Sequence, residues 1–153
     1  MQVAVLTFLG NIFARSQNGA AASLDAEAQP VNEIVVDGAP IFPLSGHLSL
    51  HEGYPILDWG AVYEWAVTVQ PDSRHSQVWT EVEKAWLLHM RMALGPQFRL
   101  RQTNAAFLLS SLEGHVATAT LTYMERTLNR VVALLDGKRS IDHALALGCP
   151  LRQ

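Results

Sequence analysis

A chain of 153 residues, 49% hydrophobic and 16% charged, has the length and apolar content of one globular domain. Its net charge of −3 argues against a nucleic-acid binder, because such proteins need a basic face to displace counterions from phosphates. Residues 1–76 hold two basic and eight acidic residues, a net charge of −6, and residues 77–153 hold nine basic and six acidic residues, a net charge of +3. The asymmetry predicts attraction between the halves or toward a partner.

Residues 1–31 read as an apolar segment followed by a linker. The run Val3–Phe13 is too short to span a bilayer, so no transmembrane segment is predicted. Ala20–Ala22 follow a polar stretch in the order of a signal peptide and its cleavage site, but no Lys or Arg precedes the run and Gly10 interrupts it. A degenerate signal peptide, a buried N-terminal helix and a start inside a longer reading frame stay open.

Residues 32–70 read as a loop-rich, extended region because proline and glycine recur throughout. Asn32–Asp37 is a strand candidate. Tyr63–Val69 alternates in a way that predicts a second strand, with a short helix from Asp58 as the competing interpretation. The aromatic residues of segment 59–69 are either core anchors or a ligand platform.

Residues 71–137 carry the clearest pattern, a helix, a hairpin and a second helix. The first helix is expected over about 73–94, begun by Asp72 or Ser73 and ended by Gly95. Its apolar residues recur at helical spacing: Val78, Trp79, Val82, Trp86, Met90 and Ala93.

The hairpin is expected over residues 97–110. Phe98 and Leu100 alternate with two arginines, so the first strand has a solvated, positive face and lies nearer the sheet edge. The second strand, Ala106–Ser110, is apolar without alternation, which predicts burial on both faces. One or two upstream strands should complete the sheet.

The second long helix is expected over about 113–136 and is ended by Gly137. An apolar seam repeats along it at spacings of four and three, suited to packing on the sheet or to a coiled-coil or dimer surface: Ala117, Leu121, Met124, Leu128, Val131 and Leu135. Residues 138–153 form a C-terminal tail with a short helix at 140–147. The predicted fold class is α+β, a small, mostly antiparallel sheet packed against two long helices.

The sequence offers no complete catalytic constellation and predicts no cofactor. His47 and His51 are the candidate metal ligands, since on a strand they would share a face. Surface histidines on a polar strand edge are the favoured interpretation, because zinc needs a third ligand and the spacing places none. A His-Glu-x-x-His zinc motif fails because its fifth position is Pro55. The single cysteine, Cys149, excludes an internal disulfide and has no placed histidine or acid partner.

Three stretches carry a family resemblance: Leu94–Leu100, Ala106–Ser111 and Tyr123–Gly137. They resemble the start of uncharacterised bacterial domains related to peptidase MA-type (gluzincin) zinc peptidases. In that family the His-Glu-x-x-His helix comes later, and this chain has no such motif, so no functional residue carries over.

The resemblance implies a non-catalytic fragment or remnant of an exported or cell-envelope zinc-peptidase-like protein. The alternative is a small protein-interaction or assembly module. It would bind a partner protein, or a second copy of itself, through the aromatic segment 59–69 or through the apolar seam of the last helix.

Overall fold

The computed structural model describes residues 5–8, 22–23, 29–69 and 74–146. The elements in chain order are β1 (Val5–Phe8), β2 (Ala22–Ser23), a 3-10 helix (Leu44–His47), β3 (Leu48–His51), β4 (Tyr54–Leu57), α1 (Trp59–Ala66), α2 (His75–Leu94), β5 (Arg99–Gln102), β6 (Ala106–Ser110) and α3 (Gly114–Ala146). Helix α3 packs on one side of the main sheet and α2 on the other, and α2 also carries α1 and the β3–β4 hairpin. The predicted α+β class is confirmed.

Strand β6 lies inside the main sheet and is covered on both faces. The sheet order is β1-β6-β5-β2, with every pair antiparallel. Phe107 and Leu109 pack in a cluster with residues of α2, whereas Ala106 and Leu108 pack with residues of α3. All five β6 residues are buried, as their unbroken apolar run predicts.

The strands that complete the sheet come from the N-terminal segment. Strand β1 pairs with β6 along four residues, and β2 lies outside β5 with a two-residue pairing. The expected edge position of β5 is therefore correct only in part. A buried helix over Val5–Phe8 is excluded, because β6 needs a hydrogen-bonding neighbour on that side.

The predicted strand Tyr63–Val69 is wrong, and the competing helix is what forms. The side chain of Asp58 accepts hydrogen bonds from the amides of Gly60 and Ala61 at 3.0 and 3.1 Å, which caps α1. The buried residues Val62, Trp65 and Ala66 follow helical spacing. The alternating residues that suggested a strand lie on different sides of α1, because Trp65 is buried whereas Tyr63 and Val67 are exposed.

The predicted strand Asn32–Asp37 is also wrong. Only an isolated bridge forms there, between Ile34 and Phe42, with backbone hydrogen bonds of 2.9 and 3.0 Å. Gly38, at a positive φ of 77°, turns the chain before a strand ladder can extend. Ile34, Val36 and Phe42 still enter the core beneath α1 and α2.

Helix α2 is enclosed from two sides, so its buried surface is wider than the predicted stripe. Val78, Val82 and Met90 are buried as expected, but Leu87 is fully buried on the sheet side and Ala93 is exposed. Gly95 ends the helix at a φ of 101°, which glycine tolerates best. The proposed caps Asp72 and Ser73 lie outside the described residues.

Helix α3 does not end at Gly137 but runs to Ala146, so the separate short helix at 140–147 is wrong. A glycine inside a helix costs roughly 1 kcal/mol relative to alanine, which the helix-compatible residues after it offset. No proline follows until Pro150. The seam therefore lies on a helix longer than the sheet it packs against.

Replacing Leu109 with alanine should destabilise the protein by roughly 2–5 kcal/mol, because it opens a cavity between β6 and α2. Leu50→Ala is the matched control, since Leu50 is 77% exposed, and should change the free energy of unfolding by no more than about 0.5 kcal/mol. Urea denaturation followed by circular dichroism measures both. Equal effects of the two substitutions would contradict the position of β6 at the centre.

Candidate functional site

The two candidate metal ligands are not on one strand. His47 ends the 3-10 helix and stacks on Phe42, with ring centroids 4.8 Å apart and planes 13° apart. His51 is exposed on β3 opposite Tyr54. Within the part of the chain that the structure describes, no group of three His, Cys, Asp or Glu side chains could hold a metal ion. Cys149 lies outside that part.

Three tryptophans meet where α1, the β3–β4 hairpin and α2 come together. The ring centroid of Trp59 is 6.3 Å from that of Trp79 and 5.5 Å from that of Trp86, which are distances of direct ring contact. The indole nitrogen of Trp86 donates a 2.9 Å hydrogen bond to the carbonyl of Pro55. These contacts fasten α1 and the hairpin to α2.

The other tryptophan of the aromatic segment, Trp65, is also a core residue. Its ring lies 4.9 Å from that of Phe42, and its indole nitrogen donates a 2.8 Å hydrogen bond to the carbonyl of Pro40. Tyr63 and Val67 on the outer side of α1 are exposed, and Trp59 is 38% exposed. The aromatic segment thus acts first as an anchor for the region before it.

Glu83 is the one titratable group of the described residues with a strongly shifted pKa. It lies four residues after Trp79 and three before Trp86, on the same face of α2. Its Oε2 atom is buried and has no hydrogen-bond partner. Burial removes water from the carboxylate and raises its pKa from 4.5 to about 7.

Sequence reasoning missed Glu83, although its position between two tryptophans at helical spacing was a usable signal. A carboxyl with this pKa can exchange a proton near neutral pH. Its buried oxygen has no hydrogen-bond partner. The carboxyl therefore makes the stability of the protein depend on pH.

The seam of α3 divides into a buried and an exposed half. Ala117, Leu121 and Met124 are buried against β6. Past the sheet the same seam is uncovered: Val131 is 46% exposed and Leu135 is 53% exposed. The apolar repeat of α3 thus continues into solvent beyond the sheet. None of the helices in the described residues is long and apolar enough to cross a membrane.

Comparisons with protein-family models, with curated proteins and with solved structures gave no match to this chain. Function is therefore inferred from geometry, and the exposed half of the α3 seam is the candidate site that the geometry defines best.

Replacing Glu83 with glutamine should remove a pH-dependent loss of stability. The unfolded chain releases the Glu83 proton near pH 4.5 and the folded chain near pH 7. The folded state therefore holds the proton more tightly, and wild-type stability falls as pH rises between these values. Glu83→Gln should gain stability over wild type as pH rises through that window. Urea midpoints below pH 4.5 and above pH 7 measure it.

The exposed Glu64 in α1 provides the control, because Glu64→Gln makes the same change on a side chain that meets solvent. If the urea midpoints of Glu83→Gln and wild type differ by the same amount at both pH values, burial does not hold the proton on Glu83.

Proposed function

We propose that this chain is a non-catalytic assembly module that pairs with a second copy through the exposed half of the α3 seam. The observation that supports this is the division of the seam, whose first three residues pack on β6 while its continuation at Val131 and Leu135 meets solvent. Spacings of four and three are the repeat by which two helices pack side by side. Two copies of one helix share that repeat and can therefore align along it.

The apolar area available supports the same proposal. Leu128 is half-buried, and Leu134, beside the seam, is 68% exposed. Removing a leucine or valine side chain from water contributes up to about 1.5–3 kcal/mol. Several such side chains in each copy offset part of the entropy lost on association. The opposite side of α3 carries Arg126 and Arg130, which suits it to solvent.

Sedimentation velocity over a range of protein concentrations tests self-association. The wild type should form a reversible dimer, and the double variant Val131→Glu with Leu135→Glu should be monomeric, because two charges would have to enter the apolar contact. The matched control is Asn129→Glu with Ala133→Glu, which places the same charges at the same spacing away from the seam and should still dimerise. A wild type that is monomeric at every concentration would contradict the proposal.

A second candidate is a remnant of a zinc-peptidase-like scaffold without catalytic function. Its support is the order β5, β6, α3, since the resemblance implies a strand, a second strand and then a long helix. On this proposal the open seam is where further elements of such a domain would pack. The two candidates are compatible, since a scaffold that has no catalytic motif still offers the seam to a partner.

Zinc analysis tests the non-catalytic part of both candidates. Purified protein, incubated with zinc and then dialysed, should retain less than one zinc ion per chain, because tight zinc sites need three or four converging ligands. The variant His47→Ala with His51→Ala should retain the same amount. Stoichiometric zinc that is lost in this variant would establish a metal site and overturn the assignment.

A further inference from the structure

Two buried polar atoms without a hydrogen-bond partner lie on the side of the sheet that faces α3. They are Nη1 of Arg101 and Oγ of Ser110. Ser110 is only 1% exposed. The large majority of buried polar side-chain atoms in folded proteins have a partner, so two unpartnered groups on one face call for a physical reason.

The register of the sheet shows that the two side chains share this face. Arg101 is opposite Leu108, and Ser110 lies two residues further along β6. Leu108 packs with residues of α3, and side chains two apart on a strand point the same way. Leu109, which lies between Leu108 and Ser110 on β6, faces α2 instead. Arg101 and Ser110 are therefore diagonal neighbours beneath α3.

The first turn of α3 closes the corner. Helix α3 begins at Gly114, four residues after Ser110, and its buried residues pack with Ala106 and Leu108 of β6. Nη2 of Arg101 lies 3.9 Å from the position that a β-carbon on Gly114 would occupy. The guanidinium group thus reaches the start of α3, where the strand that carries Ser110 also ends.

This corner is rich in hydrogen-bond donors. The first intrahelical bond of α3 joins the amide of Ala117 to the carbonyl of Glu113 at 2.9 Å, so the amides before Ala117 have no acceptor within the helix. The carboxylate of Glu113 is exposed and lies 3.7 Å from Nδ1 of His115. It leaves the guanidinium nitrogen of Arg101 unpartnered.

We propose that this corner, which we call the α3 anion site, binds a small tetrahedral oxyanion of the phosphate class. The Arg101 guanidinium, the Ser110 hydroxyl and the free amides of the first turn would donate hydrogen bonds to its oxygens. A helix N-terminus adds partial positive charge, and guanidinium groups match phosphate oxygens in geometry. The phosphate is either inorganic or a monoester group of a small molecule. This site is independent of the proposed pairing through the seam.

Isothermal titration of the full chain with inorganic phosphate and, separately, with methyl phosphate tests the site. Wild type should bind inorganic phosphate, and Arg101→Gln should weaken binding about tenfold or more, the effect of losing a hydrogen bond from a charged donor. Ser110→Ala removes only the hydroxyl and should weaken binding severalfold with folding intact by circular dichroism. Equal binding of methyl phosphate identifies a monoester group as an acceptable source, whereas its rejection restricts the site to the free ion.

Arg130→Gln is the charge-matched control, because it removes one exposed arginine elsewhere on α3, and it should leave binding unchanged. Three results would each overturn the proposal: no heat of binding for wild type with either probe, unchanged binding in both Arg101→Gln and Ser110→Ala, or equal weakening by Arg130→Gln. The last result would show non-specific attraction to a basic surface.

Discussion

The burial of β6 on both faces is the constraint on which the other elements depend. Phe107 and Leu109 require one apolar layer, and Ala106 and Leu108 require another. Their backbone groups lie away from water and need partners on both sides, which β1 and β5 supply. A helix on each face and a strand on each side follow from this one five-residue run. Helix α2, once fixed on the sheet, offers its other side to the hairpin and α1.

These elements were also the ones that the sequence predicted best, because their patterns have one structural solution. An apolar run without alternation belongs inside a sheet, and the repeat of α2 belongs to a helix. The segment after Asp58 was harder to predict, because the spacing of its apolar residues fits both the period of two of a strand and the period near 3.6 of a helix. Capping by the Asp58 carboxylate selects the helix. The strand Val5–Phe8 could not be predicted, because its partner is about one hundred residues away and its apolar run also fits a signal peptide.

The functional features depend on contacts between distant segments, which explains why sequence reasoning found the seam but neither Glu83 nor the α3 anion site. The seam is a periodic feature of one helix and can be read locally. Glu83 becomes unusual only when water is removed from around it in the folded chain. Arg101 appeared to be a solvated strand residue, and it acquires a buried guanidinium nitrogen only because α3 begins above it. The spacing of His47 and His51 was misleading for the opposite reason. It would place them on one face only if both lay on one strand, and they lie on different elements.

The length of α3 gives an energetic reason to look for a partner. Met124 is the last seam residue buried on the sheet, and the helix continues to Ala146, so two thirds of it lies beyond that contact. Most helical stability in proteins comes from tertiary packing of an apolar face, and Gly137 weakens this helix further. A helix meant only for solvent would carry polar residues all round, yet this one keeps its apolar repeat at Val131 and Leu135. Packing of a second helix along that repeat would stabilise the extension and shield the side chains at the same time, so a single contact accounts for both features.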